Sequence, residues 1–244
     1  MASNPMHQFE VYRIGPEIKF GTINLSFTNA SLFMTISAIS ILLLLFFGTK
    51  KKLLIPSKLQ LITEMSYTFI AKMINDTAGS NAKAFFPFIF TLFMFVLFCN
   101  MIGMLPYSFT VTSHIIVTFV LAALVFVGVT ILGFIKHGFG YLELFVPKGV
   151  PKLLLPLIII IEIISYLSRP VSLSVRLFAN MMAGHTMLKV FGGFVISLGL
   201  LGGWLPLSFS VALTGLEILV SFLQAYVFAI LTCIYLNDAL NLHH

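Results

Sequence analysis

Arg176 lies within a long apolar run of the sequence, as do Glu162, Arg169, His185 and Lys189, and a second such run holds Glu217. Ionisable side chains in stretches of this kind are costly in lipid and mark ion or proton paths. Glu162, Arg169 and Arg176 are spaced by seven, so a helix presents them on nearly one face. Ser172 and Asn180, four residues to either side of Arg176, share that face. Glu217, Ser221 and Gln224 line one stripe of a second helix. Carboxylates and imidazoles take up and release protons, whereas a guanidinium keeps its proton. The chemistry open to these residues is therefore stepwise proton transfer around a fixed cation. Such a cation attracts a carboxylate and favours its ionised form. This chain has no spare carboxylate for that role, so a partner that brings one is implied.

Several of these groups also have purely structural readings. Glu162 and Arg169 can form an ion pair near the membrane surface, and Lys189 can extend its head to the interface. His137, beside Lys136, reads as a solvated loop residue, and His114 as an interfacial one. Asn100 is expected to bond to a neighbouring helix, and the Gly199/Gly203 spacing is a weak helix-packing signal.

The elements that hold these residues are dictated by lipid. Hydrophobic residues make up 59% of the 244-residue chain and charged ones 9%, against roughly 25% charged in an ordinary globular domain. A single soluble core does not hide that much apolar surface. The net charge of +6 does not indicate nucleic acid, because the lysines sit between apolar runs and not together on one solvated face. Cys99 and Cys233 lie in separate apolar runs and read as small buried hydrophobes. No metal site, cofactor or catalytic residue is expected. The opening residues carry neither a cleavable signal nor a transit-peptide pattern, so the mature chain is expected to begin there.

The first span is expected over 27–49, ended by Lys50, Lys51 and Lys52. Over 56–77, Leu59, Ile62, Met65, Phe69 and Met73 recur at three- and four-residue steps among Lys58, Glu64, Lys72 and Asp76. That pattern predicts an amphipathic helix on the membrane surface. Phe85–Leu105 and His114–Ile135 are the next two spans, a helical hairpin over 85–135. Leu153 to Phe191 and Leu205 to Leu236 are each too long to stand upright, at about 1.5 Å per residue against a hydrocarbon core of about 30 Å. The first is strongly tilted or broken at Pro170. Joined by a turn from Gly192 to Trp204, the two make a long tilted hairpin over 153–236. The predicted fold class is an all-α, polytopic membrane protein, one membrane domain with an outer N-terminal segment over 1–26. It has five membrane-crossing helices plus one amphipathic surface helix.

Loop lysines orient the chain. Lys50, Lys51, Lys52, Lys58, Lys72 and Lys83 fall in one loop region, and Lys136, Lys148 and Lys152 in another, while Gly103–Ser113 and Gly192–Trp204 carry no Lys or Arg. The lysine loops and the C-terminus therefore face inside, and the N-terminus outside. Glu162 then lies towards the inner face, Arg176 deep, and His185 with Glu217 in the outer half. Protonatable groups on both sides of a fixed cation fit two half-channels separated by a barrier.

The stretch SLSVRLFANMMAGH from Ser172 to His185 resembles the signature of subunit a of the F-type ATP synthase. EIISYLSRPVS from Glu162, NMIGMLPYSFT from Asn100, EILVSFLQAYVFAILTCIYL from Glu217 and the opening HQFEVYRI extend the likeness over nearly the whole chain. The resemblance implies that Arg176 faces a ring of c subunits. It implies that Asn180, His185, Glu217 and Gln224 line the inlet half-channel, and Glu162, with Ser165, Ser172 and Arg169, the outlet. The missing carboxylate would sit on each c subunit, with b-type peripheral stalk subunits as further partners, the lipid bilayer as solvent and protons as the transported ion. His at 185 with Glu at 217, and the FVPKGVP loop, match the mitochondrial and alphaproteobacterial arrangement. The location expected is the bacterial inner membrane, with the mitochondrial inner membrane as the alternative. No GxxxxGK[ST] loop is present, so ATP chemistry belongs elsewhere in such a complex, and this chain is not an enzyme by itself. A self-contained proton-coupled secondary transporter is the competing reading. An inverted repeat would favour it, and the first and last spans show none.

Overall fold

The computed structural model describes residues 9–15, 19–20, 23–24, 26–50, 55–105, 108–146 and 154–241. Lys51, Lys52, Lys148 and Lys152 of the charge argument, the Leu153 boundary and much of the 1–26 segment lie outside the described residues. Among the described residues six α-helices follow one another: α1 Asn29–Lys50, α2 Lys58–Ala78, α3 Phe86–Gly103, α4 Ile115–His137, α5 Leu155–Gly202 and α6 Trp204–Leu240. Ahead of α1, the two-residue strands β1 (Lys19–Phe20) and β2 (Ile23–Asn24) pair antiparallel. Every helix except α2 is long and apolar enough to cross a membrane, which gives the five crossings expected and an all-α polytopic fold.

Helix α6 packs against α2, α3, α4 and α5. Its buried face carries the small residues Ala225, Ala229 and Cys233 beside Phe228, so neighbouring backbones approach closely. Leu173 and Leu177 of α5, Ile89 and Val96 of α3 and Val125 of α4 close the same core. Both cysteines are buried and unpaired, as their apolar surroundings indicated.

Helix α2 packs on the bundle by one side and leaves most of its apolar stripe outward. Gln60, Thr63, Ile70, Met73 and Ile74 are buried, whereas Leu59, Ile62, Met65 and Phe69 of the apolar stripe are exposed. Lipid tails are as apolar as leucine, so a membrane helix gains little by hiding such a stripe. The inward side is chosen by fit instead: Gly48 of α1 leaves the space that the Thr63 side chain fills.

Of the two readings of the first long segment, tilted or broken at Pro170, the break is ruled out, and the extent of the turn is corrected. Helix α5 runs through Pro170 without a break. The proline forfeits one backbone hydrogen bond, while a broken helix would strand several polar backbone groups where no water can satisfy them. The turn is also shorter than Gly192–Trp204, because Gly192 and Gly193 remain helical. The reversal begins at Gly199, whose φ of 61° lies in the left-handed region open to glycine. It closes at Gly203, where a Cβ would come within 2.6 Å of the Gly199 carbonyl oxygen. The GxxxG pair is thus a turn device, not a packing face.

Candidate functional site

Helices α5 and α6 run antiparallel, and their polar residues meet in sequence order along the seam. Nearest the turn, His185 Nδ1 stands 3.4 Å from Glu217 Oε1, with side-chain exposures of 12% and 4%. Gly184 makes this possible, since a Cβ there would lie 2.7 Å from that carboxyl oxygen. One turn deeper, the Ser221 hydroxyl approaches the sulfur atoms of Met104 and Met181. Next, Asn180 Nδ2 donates to Gln224 Oε1 at 3.0 Å. Glu217, Ser221 and Gln224 are all buried, so the predicted α6 stripe does face inward. Both Glu217 oxygens and Gln224 Nε2 are buried without a hydrogen bond. A buried carboxylate in that condition is costly unless it shares a proton or meets a cation, and His185 offers the one or the other.

The connection between α3 and α4 closes over this end of the seam. Asn100, buried on α3, donates to the Ser221 carbonyl at 3.3 Å and accepts from Thr112 Oγ1 at 2.8 Å, the cross-helix bond expected of it. Thr110 Oγ1 lies 2.9 Å from His185 Nε2 and donates to the Gly103 carbonyl at 3.0 Å. His114 stacks on Phe109 with ring centres 5.0 Å apart, and burial pushes its imidazole below the usual pKa. It is packed against Phe109 at the start of α4.

At the far end, Arg169 does not pair with Glu162. Its Nη1 donates to Asp238 Oδ2 at 3.0 Å, and its guanidinium lies over the rings of Tyr166 and Tyr235, 5.2 and 5.0 Å from their centres. Asp238 is reachable because α6 continues past Leu236, where the span was expected to stop. His137 is likewise no free loop residue. It ends α4, and its Nε2 and Lys136 Nζ stand 3.3 and 2.8 Å from the Leu240 carbonyl, where a helix C-terminus attracts cations.

Arg176 is exposed on α5, with no hydrogen bond or ion pair among the described residues. Ser165, Ser172 and Asn180 are exposed on the same helix, and Glu162 is half-buried. The structure therefore joins His185 to Glu217 and Asn180 to Gln224, removes Arg169 into an ion pair, and leaves Arg176 and Glu162 apart. Thr110, Gly184, Asp238, Tyr166 and Tyr235 were not singled out in the sequence. Asp238 was the most detectable of them, as an acid at the end of an apolar run; a loop threonine carries no such signal.

Fold and seam together define a polytopic α-helical membrane protein whose last two long helices share a largely buried acid–imidazole pair and an arginine unpaired among the described residues. The family model described as ATP synthase A chain matches residues 31–237. Proteins named ATP synthase subunit a are similar throughout: that of Pelagibacter ubique is 79% identical over 244 residues, covering 100% of both chains. Those of Chelativorans sp. and Rhizobium rhizogenes are 58% identical over 250 residues and 60% identical over 247, covering 98% or more of each chain. The chain belongs to the ATP synthase A chain family.

Proposed function

We propose that this chain is the stationary proton-channel subunit of an F-type ATP synthase, passing protons through two offset half-channels to and from carboxylates on a ring of c subunits. The observation that carries this reading is Arg176, a permanent cation without an ion-pair partner among the described residues, between the His185–Glu217 pair and Glu162 along the chain. Protons enter by Glu217 and His185, with Asn180 and Gln224 lining the path inward, and neutralise a rotor carboxylate that then turns into lipid. After nearly a full turn, that carboxyl reaches the other half-channel, releases its proton past Glu162 and is drawn to Arg176. Ser165 and Ser172, exposed on the same helix, border the outlet. Arg169 supports the outlet by holding Asp238 and not by carrying protons. Because the guanidinium keeps its own proton, direct leakage between the half-channels is blocked.

Each charge crossing gains about 2.3 kcal/mol per 100 mV of membrane potential. The nucleotide chemistry belongs to other subunits, and this chain is non-catalytic. Besides the c ring, b-type peripheral stalk subunits are its partners, and the alphaproteobacterial relatives support a bacterial inner membrane location. Arg176→Ala tests the mechanism. Proton-driven ATP synthesis should fall to background in a complex that still assembles, and normal coupling in that variant would refute the barrier role.

A further inference from the structure

The Thr110 hydroxyl lies between the Gly103 carbonyl, at 3.0 Å, and His185 Nε2, at 2.9 Å. It has one proton to give. On the opposite side of the ring, Nδ1 faces Glu217 Oε1 at 3.4 Å, a carboxyl with no hydrogen-bond partner among the described residues. A proton held by this pair sits between Oε1 and Nδ1. It belongs either to a carboxylic acid donating to a neutral ring or to an imidazolium donating to a carboxylate. Both forms carry hydrogen on Nε2, and that hydrogen needs an acceptor. Thr110 Oγ1 accepts it when its own proton goes to the Gly103 oxygen, which closes α3, where helix carbonyls lack an internal partner.

We infer that Thr110 is a positioning residue that fixes His185 in its Nε2–H form, so that Nδ1 is the atom exchanging the proton with Glu217. Which ring nitrogen carries hydrogen is set by the partner of the other. The hydroxyl is held in place by the fold: Ser113 Oγ donates to the Thr110 carbonyl at 2.6 Å, and neighbouring Thr112 is tied to Asn100. The consequence for transport rests on the uptake role proposed for the His185–Glu217 pair.

The test uses the intact ATP synthase in liposomes, with passive proton conduction and the 15N ring spectrum of His185, assigned by difference from His185→Gln. Thr110→Val keeps the shape and loses the hydroxyl, and Thr110→Ala serves should the valine chain fail to assemble. Thr110→Ser keeps the hydroxyl. Ser108→Ala removes the other hydroxyl on the Gly103 carbonyl, at 2.9 Å, without touching His185. One hydrogen bond biases a two-state ratio by about tenfold. Thr110→Val should therefore shift the ring from largely Nε2–H to a nearly equal mixture and lower conduction by about twofold, while Thr110→Ser and Ser108→Ala leave both unchanged. An unaltered Nε2–H signal in Thr110→Val, or a serine variant as impaired as valine, overturns the inference. A shifted tautomer with full conduction leaves the hydrogen bond standing and overturns the uptake role of His185 instead.

Discussion

Gly184→Ala adds one methyl group at the point where the seam is tightest. The new Cβ would stand 2.7 Å from Glu217 Oε1, 3.0 Å from its Cδ and 3.3 Å from its Cγ. Ordinary contact starts at 3.4 Å, so the carboxyl must retreat by the difference, about 0.7 Å. Helix α6 is packed on several sides, which leaves the carboxyl little choice but to move away from α5. The His185–Glu217 distance of 3.4 Å then opens towards roughly 4 Å, beyond direct proton transfer. Misplacing a reacting group by about 1 Å costs up to 10²-fold in rate, so proton-driven synthesis should fall by about ten- to a hundredfold. The substitution does not weaken α5 as a helix, since alanine is the better helix former by about 1 kcal/mol. Complex yield on native gels should therefore stay near normal while synthesis in liposomes under a fixed acid–base jump declines. Gly192→Ala is the control, because a Cβ there meets nothing within 4 Å. Full synthesis in Gly184→Ala, or an equal loss in Gly192→Ala, would refute the steric argument.

Three further outcomes follow from the same geometry. Exchanging His185 and Glu217 should preserve more proton conduction than losing either alone, since one acid and one imidazole remain; a double exchange as inactive as the single losses argues against direct partnership. Arg169→Ala strands Asp238, whose side chain is 30% exposed. The loss, reduced by that exposure, is about 1–3 kcal/mol in thermal unfolding; restoration by Asp238→Asn in the Arg169→Ala background is expected, and a strictly additive double variant counts against the pair. The burial that lowers the pKa of His114 below 6.5 makes the folded chain resist its protonation. Stability is present above 6.5 and is lost as pH falls towards the folded value, so His114→Phe should narrow the difference in unfolding temperature between pH 7.5 and pH 5; an unchanged difference excludes His114 as its source.

The crossings were legible because lipid imposes a length and an apolar composition that a linear scan detects. The polar stripes were legible because helical spacing converts sequence distance into a shared face, and Glu217, Ser221 and Gln224 are buried along one such face. What spacing does not carry is which side of α5 meets α6. Glu162 and Arg169 look like partners seven residues apart, yet the crossing of the hairpin gives Arg169 to Asp238, 69 positions away. Thr110 is likewise brought to His185 across 75 positions by the fold of a short connection. The misplaced turn has a local cause. Gly192, Gly193, Gly199, Gly202 and Gly203 all read as turn residues, and only backbone geometry singles out Gly199.

The length of α5 also bears on the two half-channels proposed above. Its apolar portion, Leu155–Gly199, has 45 residues and measures about 68 Å at about 1.5 Å per residue, more than twice the hydrocarbon thickness of about 30 Å. For the whole run to stay within that layer, the helix must lean by roughly 60° from the membrane normal. The stretch from Glu162 to His185 is about 35 Å along the helix axis. At such a lean it covers about 17 Å in depth and about 30 Å sideways. The groups proposed to open to opposite faces would then be laterally offset by a single continuous helix, and the proposed carrier, moving in the membrane plane, would have to travel between them. Arg176 falls along this path, nine residues from His185 and fourteen from Glu162. An unbroken α5 through Pro170 is thus a condition of the proposed mechanism, since a break there would let the segment stand upright and stack the two sets of groups on one line.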